Sequence, residues 1–219
     1  MLNLTYRKAT LNDVDFIANS IVESDKSGSK FSKLQKIFGI SEYILLDITN
    51  QILKAKVPGN EYFIFGHYIA EIDKQAVASI GTWVEAENNL SSNFIKINIY
   101  NSFFRKYFNA EASEKLKIIS AIDITRDPNT LQMEFGFTMN KYRGFGILDK
   151  LIGYAINDVA KDKTFDKIQL TSISGNINGA NAIKKAGFIL KQEKISSDSK
   201  ILDIFPGPGI ILWEKQYDK

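Results

Sequence analysis

The feature that most constrains this chain is a short turn, Tyr142-Arg143-Gly144-Phe145-Gly146-Ile147, set between a strand-like run and a helix-like run. Residues 131–139 read as a strand. Residues 147–160 carry apolar side chains at Ile147, Leu151, Ile152, Ala155 and Val159, the spacing of a helix with one buried face. A strand that turns straight into a helix leaves the first backbone N–H groups of that helix without intrahelical acceptors, at the positive end of its dipole. The two glycines let the backbone adopt unusual dihedral angles and approach a ligand closely, and Arg143 and Lys141 add fixed positive charge. Such a turn suits a phosphate group.

A Gly-x-Gly pair on its own also marks ordinary connections, so its flanks decide what it means. The P-loop needs a lysine followed by serine or threonine after its second glycine, and the dinucleotide fingerprint needs a third glycine. Ile147-Leu148-Asp149 satisfies neither.

Periodicity orders the remaining elements around this turn. Residues 4–9 alternate like a short strand, with Asn12 or Asp13 placed to cap a helix over 14–22. Leu34, Ile37, Phe38, Ile44, Leu45, Ile48 and Ile52 recur at helical spacing, with a break at Gly39 and a second cap at Ser41. Residues 62–72 and 76–85 are rich in aromatic and β-branched residues and read as an antiparallel hairpin. His67 falls inside its first strand and reads as a packed structural residue. Residues 87–122 read as an inserted pair of helices whose aromatics pack into a core or line a pocket. Past the turn come a strand at 167–172, a helix at 178–185 stopped by Gly187, and strands at 188–195 and 210–215.

Composition bounds the chemistry. The chain has 219 residues, 44% of them hydrophobic, with only 4 prolines and no linker-like stretch, so one domain over 1–219 is expected. With no cysteine and one histidine, thiolate and multi-histidine metal sites are excluded, and no metal is expected. The 28 basic and 25 acidic residues are mixed along the chain, which argues against nucleic acid as a partner. The N-terminus lacks the apolar segment of a secretory signal, and no apolar run is long enough to span a bilayer. A cytoplasmic location without a membrane partner is the expectation, and a homodimer is compatible with it.

The turn resembles the acetyl-CoA loop of the GNAT superfamily of N-acetyltransferases, Gln/Arg-x-x-Gly-x-Gly/Ala. Here it reads Arg143-Gly144-Phe145-Gly146-Ile147-Leu148, with Leu148 where glycine or alanine is usual. A second segment, Asn176-Ile177-Asn178-Gly179-Ala180-Asn181-Ala182-Ile183-Lys184-Lys185-Ala186-Gly187-Phe188, is similar to the family's asparagine-to-Lys-x-Gly-Phe stretch. The two lie in the family's order and bracket a helix and a strand. The resemblance implies an α+β fold: a central mixed, mostly antiparallel sheet flanked by helices, with the helical insertion preceding the cofactor-binding strand.

It also implies acetyl-CoA as co-substrate. Its pyrophosphate would lie on the amides of Arg143, Gly144, Phe145, Gly146, Ile147 and Leu148, and its pantetheine arm along Phe137, Thr138 and Met139. Asn176 matches a position that bonds the cofactor or an ordered water. Glu134 lies on the strand before the loop, on the same alternating face as Gln132, and is the candidate general base for a primary amine acceptor, a small molecule or a peptide. Ile183 occupies the position of the family's tyrosine acid. That departure keeps a second class open, a non-catalytic acyl-CoA-binding or sensing module. The acceptor site is expected from residues 23–27, from the hairpin around Trp83 and Glu85, and from the insertion.

Overall fold

The computed structural model describes residues 3–217. The first two residues of the N-terminal segment and the last two of the expected domain 1–219 lie outside the described residues, as does the side chain of Asn178. In chain order the elements are β1 (Leu4–Lys8), α1 (Val14–Lys26), α2 (Lys33–Phe38), α3 (Glu42–Ala55), β2 (His67–Ile72), β3 (Gln75–Val84), α4 (Ser92–Phe103) and α5 (Ala110–Ser120). They continue with β4 (Leu131–Thr138), α6 (Ile147–Asp162), β5 (Lys167–Ile173), α7 (Ile177–Lys185), β6 (Ile189–Ile195), α8 (Ile201–Ile204) and β7 (Gly209–Gln216).

The strands form one seven-stranded sheet in the order β1-β2-β3-β4-β5-β7-β6. Every neighbouring pair is antiparallel except β4 and β5, so the sheet is mixed and mostly antiparallel, as the resemblance implies. Both faces are covered. Ile69 of β2 belongs to a core shared with α1, α2 and α3, whereas its neighbours Tyr68 and Ala70 belong to a second core that includes Leu151 and Ala155 of α6. The period-2 alternation of a strand thus feeds two hydrophobic layers at once.

Local chemistry explains most boundaries. Gly39 takes φ 64° at the end of α2, and the Ser41 hydroxyl accepts the Ile44 amide at the start of α3, as the sequence indicates. At α1 Asp13 occupies the N-cap position, one of the two expected, but its carboxylate makes no capping hydrogen bond to the helix. Thr10 caps a preceding single turn, and the Asp13 carboxylate folds back onto the Thr10 amide and pairs with Arg7. The first hairpin strand begins only at His67, because residues 64–66 form a 3-10 turn. The inserted helices α4 and α5 lie where helical spacing places them, and Phe104, between them, is fully buried against Phe38 with ring centroids 4.5 Å apart.

The important irregularity is in β4. Ser79 pairs with Phe137 and Gly81 with Glu134, so Phe135 and Gly136 together oppose the single residue Ile80. This is a β-bulge, and Phe135 sits in it at φ 55°. Pairing of β4 with β5 ends at Met133 and Leu170, just before the bulge. Beyond that point the two parallel strands separate.

A splayed cleft and an adjoining charged chamber

The separation of β4 and β5 opens a cleft of about 450 Å³. Its walls come from Met133, Glu134, Phe135 and Gly136 on β4, from Leu170, Thr171, Ser172 and Ile173 on β5, and from Leu148 and Ile152 of α6 and Asn176 and Ile183 of the α7 region. Apolar carbon predominates in its lining.

Leu148 and Asp149 bring the first turn of α6, directly after the glycine turn, to its wall. Gly144 (φ 82°) and Gly146 (φ 68°) both occupy the left-handed region that favours glycine, and a side chain at either would meet open space. Among the described residues no hydrogen-bond partner engages the amides of residues 144–149; the helical pattern starts with the Lys150 amide donating to the Gly146 carbonyl at 3.3 Å. Six successive N–H groups are therefore unspent at a helix N-terminus, the arrangement that binds phosphate. Arg143 Nε donates to the Thr138 carbonyl at 3.1 Å, which ties the loop to the end of β4 while the rest of its guanidinium stays exposed. Phe145, at the tip, is 64% exposed.

The structure distributes the other expected cofactor residues unevenly. The Met139 amide donates to the Val77 carbonyl, so it is spent on β3. Alternation directs the backbone of Phe137 the same way and leaves the Thr138 amide on the open edge. The Phe137 side chain is buried against Phe16 of α1. Residues 133–136 line the cleft instead, a few positions earlier than expected. Leu148 packs over Gly136, whose added Cβ would lie 3.3 Å from the leucine Cδ2, so the bulky residue at the departing motif position fills space along β4. Asn176 caps α7, its Oδ1 accepting the Gly179 amide at 3.0 Å, and it stands at the cleft wall with Ile183 near it.

Glu134 lines the cleft as well. Its Oε1 accepts from Arg126 at 2.7 Å and from the Thr171 hydroxyl at 2.7 Å, which leaves Oε2 without a described partner. Arg126 also donates to Gln132 at 2.6 Å and lies 5.1 Å from the Trp83 ring centroid. The guanidinium thus bridges the two β4 side chains that alternation places on one face, and it was not visible as a site residue because it belongs to the irregular segment before β4.

Glu134, Phe135, Thr171, Lys33 and Ile210 line both the cleft and a second cavity of about 280 Å³. This chamber is walled by Glu61, Glu85, Asp123 and Arg126 and by Ser92, Asn93 and Lys96 of α4. Of these, the insertion supplies Ser92, Asn93 and Lys96; its aromatics do not line the chamber. Trp83 is buried behind the wall and donates its indole N–H to Glu85 at 2.9 Å. Burial works against the Glu61 charge, yet Lys96, at 3.3 Å, and Arg126 outweigh it and hold the carboxyl below its ordinary range. Of the expected acceptor segment 23–27, Ser24, Asp25 and Ser27 reach the cleft wall. His67 lines neither cavity.

Solved structures resemble this fold over nearly the whole chain. An N-acetyltransferase from Staphylococcus aureus Mu50 is 16% identical, with a TM-score of 0.64 over 97% of this chain and 100% of that one. An acetyltransferase of the GNAT family from Streptococcus pneumoniae is 12% identical, with a TM-score of 0.55 over 99% and 100%. The chain has the GNAT fold. Another structure with this likeness, yncA from Salmonella typhimurium with its cofactor acetyl-CoA, is 11% identical, with a TM-score of 0.56 over 99% of this chain and 95% of that one. No protein-family model matches the sequence, and no curated protein matches it. The GNAT fold is therefore carried here by geometry, at identities where sequence comparison has little to align. No helix among the described residues is long and apolar enough to cross a membrane.

Proposed function

We propose that this protein transfers an acetyl group from acetyl-CoA to a primary amine. The observation that carries the reading is the conjunction of three parts: unspent amides at the α6 N-terminus, an apolar cleft between splayed strands that the first turn of α6 helps to wall, and a carboxylate in that same wall. Acetyl-CoA, when bound, supplies an activated thioester carbonyl. The amides of residues 144–148 and the Arg143 guanidinium would hold its pyrophosphate, and the open edge of β4 near Thr138 and Gly136 would align its amide-bearing arm.

The chain's own residues then have three tasks. Glu134 Oε2 takes a proton from the acceptor ammonium, giving the neutral amine that transfer requires. Arg126 and Thr171 fix the orientation of that carboxylate through Oε1. The apolar walls at Leu148, Ile152 and Leu170 exclude water from the thioester. In the balanced step the amine nitrogen bonds to the carbonyl carbon and the carbon–sulfur bond breaks. The departing thiolate gains the second proton lost by nitrogen, and Glu134 passes the first to solvent.

Ile183 favours the second reading, a module that binds acyl-CoA without turnover, since an apolar side chain lines the cleft where the family places its acid. Two measurements separate the readings. Calorimetry with acetyl-CoA should give micromolar-class binding, and no heat or thermal shift at millimolar concentrations sinks both. Thiol release with an amine panel should then show turnover that falls by about 100-fold or more in Glu134→Gln, the loss expected of a general base. Binding without turnover for any amine selects the module, and unchanged turnover in the variant across pH rejects Glu134 as the base.

A further inference from the structure

The ion pair between Arg126 and Glu134 is one end of a longer chain of hydrogen bonds that runs back from the cleft across the sheet. Strand register sets Gln132 of β4 opposite Gln169 of β5, and Gln169 opposite Glu214 of β7, so three polar side chains form one row over adjacent strands. Both glutamines are fully buried, and Glu214 is buried as well. Gln169 Nε2 donates to Glu214 at 2.8 Å and to Asp127 at 3.1 Å, and its Oε1 accepts from Gln132 Nε2 at 3.0 Å. Gln132 Nε2 also donates to the Thr130 hydroxyl oxygen, and Gln132 Oε1 accepts from Arg126 at 2.6 Å. Arg126 in turn donates to Glu134 at 2.7 Å.

The chain can run in one direction only. Carboxylates accept and a guanidinium donates, so both ends are fixed. Glu214 and Asp127 take the two N–H groups of Gln169, which turns its oxygen to Gln132. That oxygen takes a Gln132 N–H, which turns the Gln132 oxygen to Arg126. Reversing either amide would set oxygen against oxygen at one contact and N–H against N–H at the next. Lys191 and Lys167 hold the far end, pairing with Glu214 at 2.7 Å and 3.1 Å. Burial works against the Glu214 charge, yet hydrogen bonds from Lys191, Gln169 and Lys167 outweigh it and bring its pKa down to about 2, so it stays an acceptor through the neutral range.

Two buried amides add little stability that apolar side chains of the same size would not, because each must recover the hydrogen bonds it loses to water. What the row does add is a fixed orientation for Arg126, one Nη held by Gln132 and the other by Glu134. We propose that Gln132 and Gln169, anchored by Glu214, are positioning residues for Glu134: they lock the guanidinium so that it holds Oε1 and leaves Oε2 free to receive the acceptor's proton. This rests on the acetyl-transfer reading of the cleft. Neither glutamine lines the cleft or the chamber, so an effect on turnover reaches the reacting groups through Arg126.

The test is a double-mutant cycle, read as thiol release with the amine of the panel that gives the fastest turnover. Gln169→Met should lower kcat about tenfold, short of the roughly 100-fold that a misplacement of about 1 Å can cost, with KM for the amine and calorimetric affinity for acetyl-CoA unchanged. The same substitution in Glu134→Gln should change kcat by less than about twofold, because no base is left to position. A loss of equal size in both backgrounds overturns the proposal, as does full turnover in folded Gln169→Met or a loss that falls on KM alone. Should Gln169→Met fail to fold, combining it with Gln132→Met removes both partners of the amide contact at once, and the double variant enters the same cycle. Nitrogen NMR of the Arg126 side chain reads the lock without turnover: separate Nη signals in the parent protein should merge in the variant, and signals that stay separate overturn it. Absence of turnover with every amine rejects the transfer reading and the role that rests on it, while the NMR comparison still decides whether the row fixes Arg126.

Discussion

Acidification should destabilise this protein through His67, the one histidine in the chain. His67 opens β2 with 1% of its surface exposed, its Nε2 lies 3.0 Å from the Glu61 carbonyl oxygen, and Nδ1 is buried with no partner. The ring is therefore a neutral donor to Glu61 with a bare acceptor nitrogen on its other side. Protonation would place a charge and an unpaired N–H in the core. Burial accordingly pushes its pKa down from 6.5 to about 4, against a smaller opposing contribution from the Glu61 hydrogen bond.

The sign follows from linkage. In the unfolded chain the imidazole takes up its proton near pH 6.5, whereas the folded state refuses it until about pH 4. Stability is thus complete above pH 6.5 and declines between those values as the pH falls. For a shift of this size the loss is about 2 kcal/mol at pH 5 and approaches about 3 kcal/mol below pH 4. Urea unfolding at pH 7.5 and pH 5 checks it, with the His67→Gln variant as reference, because glutamine can still donate to the Glu61 carbonyl and does not titrate. Carboxylates common to both proteins cancel in the difference. The wild-type midpoint should drop about 1 M further than that of the variant, for an m-value of about 2 kcal/mol/M. Parallel loss in both proteins would refute the neutral, buried histidine. It would also undermine the local geometry that carries Glu61 into the chamber wall.

Other outcomes follow from the site. Arg143→Ala should weaken CoA by about tenfold, the worth of a charge-assisted phosphate contact, and leave pantetheine lacking the phosphates nearly unaffected; equal losses in calorimetry would remove the phosphate role. Gly146→Ala should cost about 1 kcal/mol in unfolding free energy, because alanine at φ 68° is strained with no clash to relieve, and should reduce CoA affinity in the same titration. Phe104→Ala should cost about 3–5 kcal/mol in denaturant unfolding, since the ring is fully buried on Phe38; a loss below about 1 kcal/mol would mean the insertion is not part of the core.

What could be read from the sequence is what local chemistry decides. The glycines of residues 144 and 146, the stripe of α6, the stop at Gly39 and the cap at Ser41 each act within a few residues, so the turn and its helix were legible from their own side chains. Alternation likewise placed Gln132 and Glu134 on one face, and Arg126 bridges that pair. The cleft was not legible, because it depends on a two-for-one mismatch between strands far apart in sequence, centred on a phenylalanine at φ 55° that no propensity indicates. That one irregularity does two things. It ends the β4–β5 pairing, which opens the cleft, and it turns Phe135 to the same side as Glu134, where the ring packs 5.8 Å from Tyr62 beside the chamber. A regular strand would instead present residue 135 to the α6 side and carry β4 onward along β5, closing the cleft in the same stroke. The cleft and the charged chamber are thus two consequences of one inserted residue, which is why Glu134, immediately before it, lines both.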